Sequence, residues 1–187
     1  MSVKSQGFSL MEVLIAMAIG SVLLLATSRF LPALQRAVLQ QTRHQALEEE
    51  IWQRVYVVAK HLQRAGYCNG NCQGEPLQLE RNGECLIVRW DANSNGVWDA
   101  SPVTDADSTG FRLNNGALET LRGATTCAGK GWEKMTDPGV LQVSRFEVTH
   151  TAHAGFAPQL TVTMVASLMS DLKTSVSAQY SVTGFNL

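Results

Sequence analysis

KSQGFSLMEVLIAMAIGSVLLLA (residues 4–26) reads as a membrane span with one carboxylate, Glu12, near its start. From Phe8 to Ser28 the chain runs 21 residues with Glu12 as its only charge. At about 1.5 Å rise per residue, a helix over that stretch is about 30 Å long, enough to cross the hydrocarbon core of a bilayer. A carboxylate at such depth costs about 2.5–3.5 kcal/mol on insertion scales, so an acid inside a span is by default a functional residue. Lys4 precedes the run, while Arg29 and Arg36 follow it. Basic residues on both sides leave the flanking charge a poor guide to orientation.

A secretory signal peptide also has a basic start, an apolar middle and a small-residue cleavage site. Here "LLLATSRF" puts leucine where a small residue is wanted, and the early acid is foreign to such a segment. A plain anchor gives Glu12 no task. The run "GFSLME" with its apolar continuation resembles the processing signal of type IV pilins and the pseudopilins of type II secretion. That resemblance implies cleavage after Gly7 by prepilin peptidase on the cytoplasmic side, methylation of the new N-terminal residue Phe8, and an assembly role for Glu12 at the fifth mature position. Its physical rationale is that cleavage leaves an ammonium on Phe8, buried among apolar helices in a filament. A neighbouring subunit's Glu12 neutralises it, since an unpaired buried charge costs far more than a paired one. In the bilayer the same acid is expected to pair with its own terminus or to become protonated.

Length bounds the rest. At 187 residues the chain holds one ordinary domain besides the span. Net charge is −1, with no basic stripe, so no nucleic-acid partner is inferred. All four cysteines, Cys68, Cys72, Cys85 and Cys127, follow the apolar run. An even count on one side of a span suits disulfides in an oxidising compartment, and places the N-terminus in the cytoplasm and the rest outside it. The C-x3-C start lacks zinc-ribbon spacing. Four cysteines permit three pairings; the one expected is a local Cys68–Cys72 clip with Cys85–Cys127 across the sheet.

The helix is expected to continue past a kink at Pro32. Leu47, Ile51, Val55, Val58, Leu62 and Ala65 recur at spacings of three and four, an amphipathic stripe, and Gly66 is a natural stop. Glu50 and Arg54 can pair at i,i+4. Beyond Gly66 the chain reads as strands. "LQLERNGECLIVRW" and "FRLNNGALETL" are hairpins turning at Asn82-Gly83 and Asn115-Gly116. "LQVSRFEVTH", "PQLTVTMVASL" and "TSVSAQYSVTGF" form a meander, with Leu160, Val162, Met164 and Ala166 in step with Val176, Ala178, Tyr180 and Val182. The fold class is α+β, pilin-like by resemblance: a long N-terminal helix packed on antiparallel sheet. The expected divisions are a leader at 1–7, a membrane-spanning and assembly half-helix at 8–31, an amphipathic half-helix at 32–66 and a periplasmic β domain at 67–187.

"DANSNGVWD" (residues 91–99) puts Asp91, Asn93, Asn95, the Val97 carbonyl and Asp99 at positions 1, 3, 5, 7 and 9 of an EF-hand-type loop, with Gly96 at the turn. The position of the bidentate glutamate is Pro102, so Asp105 or Asp107 would have to substitute. An Asx-rich turn explains the same residues without calcium. His44 and His61 are placed on the polar side of the helix, and His150 and His153 at the end of a strand, all as surface residues. Trp52, Trp90, Trp98 and Trp132 read as core or interface filling. No nucleophile motif, zincin motif or P-loop is present, so no catalysis is expected.

The whole chain resembles the prepilin peptidase-dependent protein B group, enterobacterial minor pilins related to the secretion pseudopilins usually lettered J. The resemblance implies a non-catalytic subunit without a cofactor that helps to start or cap a type IV pilus. It also implies an inner-membrane site and a set of partners: prepilin peptidase, other minor pilins, the major pilin and an inner-membrane assembly platform. Three rivals stand beside it. They are a type II secretion pseudopilin, an anchored periplasmic calcium-binding protein whose signal is coincidental, and a secreted enzyme with a poor signal peptide.

Overall fold

The computed structural model describes residue 7, residues 9–100 and residues 106–187, without the side chains of Arg29 and His153. Lys4, Phe8, Pro102 and Asp105, all used above, lie outside the described residues. The chain divides into two compact units, Met1–Gln45 and Ala46–Leu187. One helix, α1 (Leu10–Arg64), contributes to both.

Within the first unit α1 is apolar all round from Val13 to Ala26, and among the described residues nothing covers that stretch. Its most apolar window has a mean hydropathy of 2.2 and is 0% buried. The few hydroxyls fold back on the helix's own carbonyls: Ser21 Oγ donates to Ala18 O at 2.8 Å, Thr27 Oγ1 to Leu23 O at 2.9 Å and Ser28 Oγ to Leu25 O at 2.9 Å. Such bonds let polar side chains sit in hydrocarbon without an unmet donor. Pro32 offers no N–H to the Ser28 carbonyl, and the helix nevertheless continues to Arg64.

In the second unit the predicted stripe is the core side of α1: Leu47, Ile51, Val55, Val58, Leu62 and Ala65 are all buried. They pack with the inner faces of two antiparallel sheets, and Glu50 pairs with Arg54 at 3.3 Å on the flank. Gly66 ends the helix at φ +84, and its N–H donates to Arg89 O at 2.9 Å. A Cβ there would lie 2.1 Å from the Asn186 carbonyl oxygen, so only glycine admits both the left-handed turn and the returning C-terminus.

The first sheet has the order β1 (Leu77–Glu80), β2 (Cys85–Arg89), β3 (Ser108–Asn114), β4 (Ala117–Arg122) and β5 (Glu133–Lys134). Both predicted hairpins are in it. Asn115 and Gly116 form a two-residue turn with φ 49 and 75. In the other hairpin Arg81 (φ 54), Asn82 (φ 57, ψ 33) and Gly83 (φ 89) are all left-handed, in a four-residue loop between the paired Glu80 and Cys85, closed by Glu84 N–H to Arg81 O at 3.2 Å. Both Asn-Gly pairs thus put two successive residues at positive φ, as a type I′ hairpin turn requires. The second sheet is β6 (Leu141–His153), β7 (Phe156–Leu168) and β8 (Asp171–Thr183) in order. Leu160, Val162, Met164 and Ala166 are buried in register with Val176, Ala178 and Val182. Tyr180 departs from the pattern: it sits at the rim, against Tyr56 at 4.9 Å between ring centroids. The sheets meet through hairpin tips. Val143 N–H donates to Gly116 O at 2.9 Å, and a Cβ on Gly83 would come within 2.3 Å of Val148 O.

Cys68 is joined to Cys72, and Cys85 on β2 to Cys127 in the loop after β4. The loop covers a buried ion pair, Arg112 Nε to Glu119 Oε2 at 2.8 Å. Arg112 also donates to the Cys127 carbonyl at 2.9 Å and stacks 4.3 Å from the Trp132 ring, whose edge occupies the space above Gly110. A buried pair persists only when its remaining donors find acceptors in this way.

Candidate functional site

The functional segment begins where α1 does. Gly7 is exposed, and among the described residues a Cβ at that position would meet nothing within 4 Å. The fold itself therefore sets no steric demand for glycine there. Ser9 is the N-cap of α1 and Glu12 its third helical residue. Ser9 O accepts from the N–H groups of Glu12 (3.0 Å) and Val13 (3.3 Å), and Ser9 Oγ accepts from Met11 N–H at 3.4 Å. In return Glu12 Oε2 accepts from Ser9 N–H at 3.0 Å. This reciprocal S-x-x-E arrangement is a capping box, and it satisfies amide donors that the first turn leaves unmet. Glu12 therefore has a task within its own chain, one that a reading for hydropathy and processing overlooks. The carboxylate also sits at the positive end of the helix dipole, worth about 0.3–1 kcal/mol. An amide would serve the cap as well, since Gln takes the same place in capping boxes. A full charge in an apolar helix thus exceeds what capping requires.

The 91–99 loop is held by its own backbone. Asp91 is buried, and its carboxylate accepts from the N–H groups of Asn69 (3.1 Å), Asn95 (3.1 Å) and Gly96 (2.9 Å). Desolvation alone would raise the Asp91 carboxyl; the backbone donors of Asn69, Gly96, Asn95 and Ser94 together outweigh it and hold it below the usual carboxylate range. Asn93 Oδ1 and Asn95 Oδ1 each accept from the N–H two residues on, at 3.0 Å. Their amide nitrogens both point to Asp99 Oδ2, at 3.2 and 2.7 Å. Asp107 bridges the loop's two ends, accepting from Ala92 N–H and Asp99 N–H. These are Asx turns, and the four candidate calcium ligands Asp91, Asn93, Asn95 and Asp99 are brought together by hydrogen bonds that the loop makes to itself. The Cys68 and Cys72 sulfurs lie within 4.8 Å of the Asp91 carboxylate, but their disulfide leaves neither as a metal-binding thiolate.

His61 is a correction to the sequence reading. It faces the sheet rather than solvent, edge-on to Phe111 at 5.2 Å. Burial, and then the Arg64 charge, push its pKa down to about 4, so the imidazole is neutral near pH 7. A cleft of about 660 Å³ opens beside it, walled by Trp90, Asp107, Thr109 and Arg122. Both Asp107 oxygens are already taken by the backbone, and Arg64 lies 4.8 Å over Trp90. All four tryptophans are half-buried, as fillers of a core or rim.

The comparisons agree with this N-terminal geometry. Residues 3–28 match the prokaryotic N-terminal methylation motif, and residues 40–184 match the family described as Prepilin peptidase-dependent protein B. The protein of that name from Escherichia coli (strain K12) is 61% identical over 187 residues, covering 100% of both chains. No solved structure matches the chain. The motif, together with a helix long and apolar enough to span a bilayer, points to membrane anchoring. The chain belongs to the prepilin peptidase-dependent protein B family, whose members are pilin-like.

Proposed function

We propose that this chain is a minor pilin-like structural subunit that helps to initiate or cap assembly of a type IV pilus. Prepilin peptidase removes residues 1–7 after Gly7 and methylates Phe8. The apolar half of α1 anchors the mature chain in the inner membrane, with the disulfide-bonded β unit in the periplasm. Its partners are the peptidase, other minor pilins, the major pilin and the inner-membrane assembly platform. A single observation carries this reading. The methylation motif lies over the capped start of α1, where the apolar side chains of residues 10–28 are exposed and the one acid of that stretch carries more charge than its cap needs. Uncovered apolar surface on that scale requires lipid first and neighbouring helices afterwards. The β unit is bulky for a densely packed shaft, which favours a place at or near the tip. The retained acid favours a place below the extreme tip, docked beneath another subunit.

A type II secretion pseudopilin is the second reading, because its N-terminal chemistry is the same. The two differ in phenotype. Cells lacking this chain are expected to lose most surface pili, counted by electron microscopy, while secretion of periplasmic cargo is unchanged. Normal piliation with cargo retained in the periplasm would assign the chain to secretion instead.

A further inference from the structure

We propose that the outer edge of β8, with the aromatic side chains beside it, is the docking edge for a β-strand of a neighbouring subunit. β8 pairs with β7 and ends its sheet. Among the described residues no strand lies on its other side, so alternate residues turn N–H and C=O groups outward. A row of such groups is a template for another backbone.

Natural proteins blunt free edges by shortness, proline, bulges, lysine or cover, and the other edges here are blunted. β1 is four residues long and directly follows Pro76, and β5 has two residues. β6 is covered by the hairpin tips at Gly83 and Gly116. β8 carries such defences at its start alone, where Lys173 and a break of register opposite Ser167 and Leu168 lie. It is 13 residues long, without proline, and Lys173 is its single cation. From Ser175 to Thr183 its register with β7 is unbroken.

The aromatic side chains are an independent observation. Trp52, Tyr56 and Tyr180 form a continuous row of rings, with centroids 5.5 and 4.9 Å apart, along the junction of α1 with β8. Tyr56 is 45% and Tyr180 39% exposed. Tyrosine and tryptophan are enriched among the residues that carry interface binding energy, and rings already in contact lose little freedom when covered. A bare backbone edge and an aromatic platform at one rim together select an extended strand. Its side chains would alternate, one set on the rings and the other beside Ser175, Ser177, Gln179 and Ser181. Those four carry no charge, so the strand that fits is itself weakly charged and apolar at every second position. This rests on the reading of the chain as an assembly subunit and names the surface through which it assembles.

Amide hydrogen exchange tests the proposal. Peptides spanning residues 171–183 are compared between the mature full-length chain in membranes alone and the same chain co-expressed with the major pilin and other minor pilins of its host. The fast-exchanging β8 amides should slow at least tenfold on co-assembly. Gln179→Lys combined with Tyr180→Ala should lower co-isolation with those subunits at least tenfold, with melting and disulfide count unchanged. Glu12-dependent co-isolation without any change in β8 exchange would overturn the docking edge and leave the subunit reading standing. Absence of co-isolation even for the wild type would remove the subunit reading and this proposal with it. Protection of β8 in the chain alone that rises with its concentration would give the edge to a second copy, and so overturn its assignment to a different subunit.

Discussion

Glu12→Gln is expected to lower co-isolation of the mature chain with neighbouring subunits by about two to four orders of magnitude while leaving cleavage and folding intact. Removing one partner of a buried ion pair costs about 3–5 kcal/mol, because the other charge stays buried without its counter-ion. The amide is the informative substitution. It preserves the acceptor that holds Ser9 N–H at 3.0 Å and removes only the charge. Glu12→Ala removes both, and so adds the loss of the capping-box acceptor. Chemical cross-linking in membranes, read as the ratio of cross-linked to free chain, separates the two contributions. If Glu12→Gln behaves as wild type while Glu12→Ala fails, the residue serves as a helix cap, and charge pairing with a neighbour is refuted.

The second large effect belongs to the disulfides. Cys85 and Cys127 are 42 residues apart in sequence, Cys68 and Cys72 only 4. In the chain-entropy model the first loop constrains the unfolded state by about 4 kcal/mol and the second by about 2 kcal/mol. Cys85→Ala with Cys127→Ala should therefore lower Tm by on the order of 10–15 °C, about twice the fall for Cys68→Ala with Cys72→Ala. Alanine suits the longer pair, because Cys85 and Cys127 are both buried and serine would bury two hydroxyls. Calorimetry of the oxidised variants gives the order. A larger loss from the short clip would show that the clip's hold on the 91–99 loop, rather than loop length, decides stability.

Much of this fold could be read before any coordinates because its signals are local. The stripe from Leu47 to Ala65 has helical spacing, and both Asn-Gly pairs demand left-handed turns that glycine and asparagine tolerate. Assembly of the hairpins was not legible. Alternation says which side chains of β7 and β8 share a face, but not that β1–β5 and β6–β8 form separate sheets joined at hairpin tips. The two-residue β5 leaves no periodicity to find. His61 faces the sheet because the apolar face of α1 is wider than the stripe from Leu47 to Ala65. It is three residues past Val58 and next to Leu62, within the wide apolar face of a core-facing helix. Tyr180 fits its alternation but lies where the sheet ends, and period cannot reveal an edge. At the functional segment, Gly7 and Glu12 stand out by residue type. The Ser9–Glu12 capping box was equally present in the sequence, as S-x-x-E before an apolar run, and was hidden by the processing signal that uses the same letters.

The proposed charge pairing with Glu12 requires an amine at Phe8, so the N-terminus of the mature chain is the decisive quantity. Co-expression with a prepilin peptidase, followed by mass spectrometry of the N-terminal peptide, should find a chain that begins with N-methylphenylalanine at Phe8 and lacks residues 1–7. A chain that retains Met1 after co-expression, or one cut near Ala26, would contradict it.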